Sequence, residues 1–411
     1  MDRILVLDGE ARSALAVVRS LGRQGLELAV AAAEPPALAQ RSRYAQRRFA
    51  CPAPARAPKA FQEWLLRAVE GYRPHLLLPL TDLSLALALE LEAELRARTV
   101  LPFVDRATCA RVQSKGELLA LASSLGVRVP RSLRLPPLAL QSAEHARALD
   151  AFAYPAALKP EVTQSRIGDG YARLPVAYPR DAAAARALLA AGSPYALVAT
   201  LLQQRIEGPG VGVFALCADG EALALFAHRR LLEKPPTGGV SALSESLPLA
   251  RAPVACAERL LAALRWQGAA MLEFKQDRDG SFHLLEINPR FWGSLQLAID
   301  SGRDFPALLY QLFRSGEPLR GEKRERFREA LPPLLEGRRL RWLLGTLDHA
   351  LIRLRADPLE ALAGILLRNQ LRLFERPLAT RLEVLRATDP APFLGELRAW
   401  LAALAARGSR A

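Results

Sequence analysis

Short apolar runs alternate with helically spaced apolar positions along residues 1–113 of the chain. Arg3 to Asp8, Leu26 to Ala31, His75 to Pro79 and Val100 to Val104 read as buried strands. Between them, Ala11 to Leu21, Phe61 to Val69 and Leu83 to Arg96 place apolar residues three and four apart, as a helix with one buried face requires. This rhythm predicts a parallel sheet with helices on both faces. The turn Asp8-Gly9-Glu10-Ala11-Arg12 lacks GxGxxG spacing, so a dinucleotide fingerprint is absent. Thr81-Asp82-Leu83-Ser84 follows a strand end, where open α/β sheets bind ligands. Helix N-capping explains the same residues more simply.

The texture changes at Ser114. A helix from Lys115 to Leu125 stops at Gly126, and Pro130 breaks the segment after it. Strand-like Ala156 to Lys159 runs into a loop of small and polar residues, Pro160 to Gly170. From Tyr195 to Pro289 the pattern is mostly antiparallel hairpins, with one helix near Pro253 to Trp266. The tail from about Gly316 reads as helical and carries no repeat. The expected architecture is α/β in four parts: a parallel-sheet domain over 1–113, two α+β subdomains over 114–197 and 198–318, and a helical extension over 319–411.

The stretch from Met271 to Arg290 carries the clearest chemistry. Asp279-Gly280 between alternating runs is a strong hairpin signal. A two-residue turn there sets Arg278 against Ser281 and, counting back, Glu273 against Glu286. Strand alternation then puts Glu273, Lys275, Glu286, Asn288 and Arg290 on one face, and Leu272, Phe274, Leu285 and Ile287 on the other. Two carboxylates facing each other repel. A hard divalent cation removes that penalty, with oxygens from Glu273, Glu286 and Asn288 and the remaining positions filled by phosphate and water. Arg290 is placed to neutralise a phosphoryl group in transfer. A half-exposed hairpin with a charged outer face is the plainer alternative; the acidic pair followed by Asn-Pro-Arg favours the metal.

Composition narrows the picture. The chain has 411 residues, 51% hydrophobic and 24% charged, which is globular composition for more than one domain. No apolar run is long enough to span a bilayer, and the start lacks a signal peptide's apolar region. Four scattered cysteines and five histidines show no metal-ligand spacing, so neither a disulfide framework nor a zinc site is expected, and a reducing cytoplasm fits. The net charge of +14 comes with a heavy Ala, Leu and Arg bias and no aromatic-interleaved basic patch, so nucleic acid is not an expected partner. Only six of the 56 basic residues are lysines, which makes the position of each one informative.

Leu285-Glu286-Ile287-Asn288-Pro289-Arg290, with Glu273 one strand earlier, resembles the Mg-binding core of the ATP-grasp superfamily. The likeness is greatest to carbamoyl-phosphate-synthase-like carboxylate–amine ligases, including the D-aspartate ligase group, and covers roughly residues 1–315. Phe291-Trp292-Gly293-Ser294 and Gly302-Arg303-Asp304-Phe305-Pro306 continue it.

The resemblance implies the following roles. Lys115 and Lys159 match the ATP-contacting lysines, and Thr163 to Gly170, with Gly168 and Gly170, sits where a phosphate flap belongs. Gln203-Gln204-Arg205-Ile206-Glu207-Gly208 resembles the adenine-reading connection, with Gln203 and Ile206 as contacts. Gly210 stands where a ribose-binding carboxylate is expected, a departure for which Glu207 is a weak substitute. Arg229 and Arg230 lead into Lys234 to Ser241, which looks like the substrate-side loop.

The implied activity is ATP-dependent ligation of a carboxylate, through an acyl phosphate, to an amine. ATP and Mg2+ (with Mn2+ as a substitute) are the implied cofactors, and small-molecule carboxylates and amines the partners. Two alternatives stand beside it: a ligase with a non-amine acceptor, and an ATP-binding regulatory module without turnover. Residues 314–411 hold 19 basic against 12 acidic residues, and Leu359 to Phe374 sets Arg368 and Arg372 among leucines. Packing of that helix on the body is the preferred reading over peripheral contact with an anionic membrane. A homodimer stays open.

Overall fold

The computed structural model describes residues 1–315, 319–366, 371–372 and 379–408. The first sheet is parallel, with strands β1 (Arg3–Val6), β2 (Glu27–Ala32), β3 (Arg47–Ala50) and β4 (Leu76–Leu78) in the order β3-β2-β1-β4. Ile4, Leu5 and Val6 are fully buried, as a central strand covered on both faces must be. Edge strand β3, with exposed Arg47 and Arg48, gave no apolar signal and was missed from sequence. Helices α1 (Arg12–Arg23), α2 (Pro58–Tyr72), α3 (Asp82–Glu90), α4 (Glu92–Arg96) and α5 (Arg106–Gln113) accompany this sheet. The single helix expected over 83–96 is two, divided at Leu91. Val100, expected within a strand, makes only an isolated bridge to Leu76.

Helix α6 (Lys115–Ser124) starts the next unit, capped by the Ser114 side chain. A three-stranded sheet follows, β5 (Ser132–Leu135) and β6 (Ala156–Pro160) flanking β9 (Thr200–Gln204), with β7 (Ser165–Ile167) and β8 (Gly170–Ala172) forming a separate hairpin. Helices α7 (Ala143–Asp150) and α8 (Ala182–Leu189) cover its core of Leu135, Leu158, Leu189 and Leu202.

The largest sheet has seven strands: β10 (Gly210–Ala218), β11 (Glu221–Lys234), β12 (Val240–Ser246), β13 (Gly268–Gln276), β14 (Phe282–Asn288), β15 (Arg339–Arg341) and β16 (Thr380–Leu382). Its order is β14-β13-β10-β11-β12-β15-β16. Helices α9 (Val254–Ala263), α10 (Leu295–Asp300) and α11 (Phe305–Phe313) pack on it, and its core is continuous with that of the first sheet.

The C-terminal segment is mainly helical, with α12 (Glu322–Glu329), α13 (Leu343–Ala356), α14 (Pro358–Leu366) and α15 (Ala391–Gly408). It also adds β15 and β16 to the large sheet, a pairing that so short a pattern did not announce. Of the segment Leu359 to Phe374, residues 367–370 and 373–374, including Arg368, lie outside the described residues. Among the described residues no helix is long and apolar enough to cross a membrane.

Buried ion pairs dock this segment on the first helix. Arg19 of α1 donates to Asp389 at 2.9 Å and to the carbonyls of Glu383 and Val384, all out of water. Arg12 donates to the Glu383 carboxylate. Burial pushes the Glu383 carboxyl up to about 7, with the Arg12 guanidinium only partly opposing it. The folded chain therefore favours the neutral acid. Its contribution to stability is complete below the unfolded value of about 4.5 and is lost as pH rises through about 7, a change of about 3 kcal/mol. Glu383→Gln is expected to flatten the thermal midpoint across that window and to exceed the parent in stability above it. Calorimetry at a series of pH values checks this, and an unchanged slope would show that Glu383 is not the responsible group.

Candidate active site

The hairpin of β13 and β14 does set Glu273 opposite Glu286, by a different route from the one its sequence suggests. The turn is longer than two residues: Gln276 faces Phe282, and Asp277 closes the loop by accepting from the backbone N–H groups of Asp279 and Ser281. That shifts the register by one. An irregularity between Glu273 and Phe274 shifts it back. Phe274 therefore pairs with Leu284, not Leu285, and Leu284 is the fully buried residue.

The large sheet continues this row. Ser246, His228, Gly212, Glu273 and Glu286 lie side by side across β12, β11, β10, β13 and β14. Arg230, two residues from His228, shares their face and reaches Glu273 with two bonds of 2.8 and 2.5 Å. It also donates to Glu233 at 3.1 Å. A Cβ on Gly210 would stand 3.3 Å from the Arg230 Cδ, so the bare backbone of β10 is what lets the guanidinium lie across to β13. Gly210 thus has a packing reason to be glycine, where sequence had shown only a missing ribose ligand. His228 is driven down to about 3 by burial and Arg230, and is neutral.

Cations face the acidic pair from a second side. Lys159, at the end of β6, is buried and has no hydrogen-bond or ion-pair partner among the described residues. Burial and the nearby Lys115 lower its pKa to about 8, while Glu286 and Glu273 pull the other way. Lys115 donates to the Glu161 carbonyl at 3.4 Å and the Thr163 hydroxyl at 3.2 Å. Glu161, which the sequence did not single out, is buried and takes bonds from Ser114 (2.8 Å) and Arg134 (2.7 Å), fixing the start of α6 against the end of β6. Burial raises both glutamates, but the outcomes differ. Lys115, Lys159, Asn288 and Arg290 hold Glu286 below its ordinary value. Glu273 ends above its own, because Arg230 only partly offsets burial and Glu286 repels it.

Gly168 and Gly170 form the tip of the β7–β8 hairpin, Gly168 with φ near +61°. A Cβ on Gly170 would stand 2.6 Å from the Ala55 carbonyl, which also accepts from the Tyr171 N–H. The expected flap therefore rests against the segment between β3 and α2. Gln203 is buried and donates to the Ser132 hydroxyl at 2.9 Å, on the same face of β9 as Leu201, the partner of Lys159. Ile206 is half-buried in the connection from β9 to β10. Glu207 is exposed and paired with Arg278 at the hairpin turn.

Arg290 donates to both oxygens of Asp82 at 2.9 and 2.8 Å, and to Asn288 Oδ1 at 3.0 Å. Thr81 and Ser84 cap the helix as expected, in the form of a capping box. Asp82 between them leaves the cap to hold Arg290, a role for which only its position at a strand's C-terminal end gave a signal. Arg229 and Arg230, both candidates from sequence, point to opposite faces, as neighbours on a strand do. Arg229 pairs with Glu245 at 2.8 Å on the face away from Glu273.

Among the described residues no three His, Cys, Asp or Glu side chains cluster as a metal site. The donor set is instead two carboxylates and an amide, Glu273, Glu286 and Asn288, the last donating to Glu286 at 3.2 Å. An ionised Glu286 with one side-chain donor fits a hard cation completed by phosphate and water.

This architecture has known counterparts. The chain is similar to the L-amino acid ligase from Bacillus licheniformis at 17% identity, over 81% of this chain and 78% of that one, with a TM-score of 0.57. It is similar to the biotin carboxylase domain of the Hydrogenobacter thermophilus 2-oxoglutarate carboxylase, a dimer solved with MgADP and bicarbonate (15%, 78% and 71%, 0.57). A third is N5-carboxyaminoimidazole ribonucleotide synthetase, purK, in its ADP complex (16%, 77% and 78%, 0.56). No curated protein matches the chain. The fold is that of the ATP-grasp proteins. Within it, residues 196–330 match the family described as ATP-grasp in the biosynthetic pathway with Ter operon.

Asp82→Asn keeps a polar side chain inside the capping box but takes from the largely buried Arg290 its ion-pair partner, leaving the more distant charge of Glu286. A loss of about 2 kcal/mol is expected, below the full cost of breaking a buried pair because both partners keep some contact with water. Urea unfolding followed by circular dichroism measures it; a change within error would mean that Arg290 does not depend on Asp82.

Proposed function

We propose that the chain is an ATP-dependent carboxylate–amine ligase acting through an acyl phosphate. The observation that supports this most is the convergence of Lys115, Lys159 and Arg290 on Glu286, with Glu273 opposite, inside an ATP-grasp fold. In this reading Gln203 and Ile206 hold the adenine, and Lys115 and Lys159 hold phosphate oxygens. The hairpin with Gly168 and Gly170 covers the phosphates and excludes water. Glu273, Glu286 and Asn288 hold Mg2+, whose chemistry is to neutralise phosphate charge.

A substrate carboxylate oxygen attacks the γ-phosphorus of ATP, and ADP leaves. The amine nitrogen then attacks the acyl carbon, and phosphate leaves from the tetrahedral adduct as the nitrogen loses its proton. Neither step uses an enzyme nucleophile; the chain orients the reactants and stabilises charge, chiefly through Arg290 and Arg230. Arg229 has no part in it. The working boundaries remain 1–113, 114–197, 198–318 and 319–411, and a reducing cytoplasm is the proposed setting.

Incubation with Mg-ATP and a panel of carboxylates and amines is expected to release ADP, with hydroxylamine trapping the activated acid as a hydroxamate. Tight ATP binding without ADP release across the panel would favour a regulatory module instead. Glu286→Ala should lower turnover by at least ~1000-fold while the chain still folds, as circular dichroism would show; retained turnover in that variant would remove the metal assignment.

A further inference from the structure

Three segments distant in sequence meet at the loop joining β11 to β12. Arg12, at the start of α1, donates to the Ser241 carbonyl at 3.4 Å and to Glu383, and its guanidinium lies 4.0 Å from the centre of the Trp342 ring. The Lys234 ammonium lies 4.8 Å from the same ring and pairs with Asp348. Trp342 Nε1 donates to Glu396 at 2.7 Å. This box adjoins the candidate active site at two points. Arg12 Nη2 lies 3.4 Å from where a Cβ on Gly293 would sit, three residues beyond Arg290. Arg230, which holds Glu273, also donates to the Gly239 carbonyl of the loop at 3.3 Å.

Two buried acceptors of the box lack hydrogen-bond donors. It brings Arg12 and Lys234 together with Asp348, Glu383 and Glu396, while Arg386, paired with Asp300, also acts on Glu383 and keeps a buried Nε without an acceptor. Glu383 Oε1 and Glu396 Oε2 are out of water and have no partner among the described residues. Burial pushes both carboxyls up, with Glu396 adding repulsion at Glu383 and Asp348 adding it at Glu396. Buried acceptors without donors are costly, and a ligand bringing N–H groups would meet that need. An indole face in the same box favours a cation further. A carboxylate or phosphate ligand would bring only more acceptors and more negative charge.

We propose that this box is the acceptor subsite and binds a primary amine as its ammonium, between Glu383, Glu396 and the face of Trp342. Lys234, 32% exposed against 12% for Arg12, forms the rim, and its ammonium marks the place the ligand's ammonium takes over the ring. The assignment rests on the ligase reading above and gives the part of the C-terminal segment beyond residue 330, where the family match ends, a role in choosing the substrate.

The test uses the full chain, with 1,4-diaminobutane as probe and succinate as its anionic counterpart, read by thermal shift and titration calorimetry. Diaminobutane should bind and stabilise the parent protein, while succinate should not. Glu396→Gln and Lys234→Met are measured side by side, so that one informs if the other folds poorly. Glu396→Gln should weaken diaminobutane at least tenfold, and Lys234→Met should leave it unchanged or tighter, with the Mg-ATP shift retained in both. No diaminobutane binding, equal binding by Glu396→Gln, or stabilisation by succinate would overturn the subsite. If diaminobutane behaves as stated but no acid releases ADP, the ligase reading fails and an amine site stands. If ADP is released and diaminobutane does not bind, the subsite alone fails.

Discussion

Two carboxylates held face to face govern the centre of this molecule. Glu273 and Glu286 sit opposite each other on one face of a β-hairpin, where like charges repel. Each carboxylate has its own supply of positive charge. Arg230 comes across β10 to Glu273, while Lys115, Lys159 and Arg290 gather around Glu286. Each cation comes from a different element, so the pair ties together the first sheet through Asp82, the three-stranded sheet through Lys159, and the large sheet. An arrangement in which one glutamate is ionised and the other pushed upward is suited to exchanging a cation and phosphate oxygens for some of these internal contacts.

The same logic of compensated charge recurs at the C-terminal segment. Arg19 is almost wholly buried, yet three backbone carbonyls and the Asp389 carboxylate receive its donors. Such a set is stable only when every polar group is met. Around Trp342 the set is not closed: two carboxylate oxygens stay without donors, and Arg386 Nε nearby stays without an acceptor. The contrast is between a docking contact whose donors and acceptors are all met, around Arg19, and one beside the β11–β12 loop where they are not.

Some of the site was legible because local pattern and chemistry agreed. The opposed glutamates, Asn288 and Arg290 could be read from alternation and a turn signal, although two register shifts of one residue cancelled to make the simple count correct. Leu284 and Leu285 expose that cancellation, since only the irregular strand buries the former. Lys115 and Lys159 stood out because lysine is scarce in this chain. Arg229 and Arg230 were grouped by adjacency, and strand geometry parts them. Glu161 and Asp82 gave little local signal, because what matters about each is a partner 47 or 208 residues away.

The sequence by itself determined the alternating order of strands and helices, the hairpin and its acidic pair, since these depend on periodicity and on interactions between residues near one another in the chain. Only the tertiary structure decided which cations serve which glutamate, that Gly210 clears a path for Arg230, and that strands from the tail complete the large sheet. Those outcomes depend on the register and packing of distant segments, where the energy of a buried charge is set by whatever the fold brings beside it.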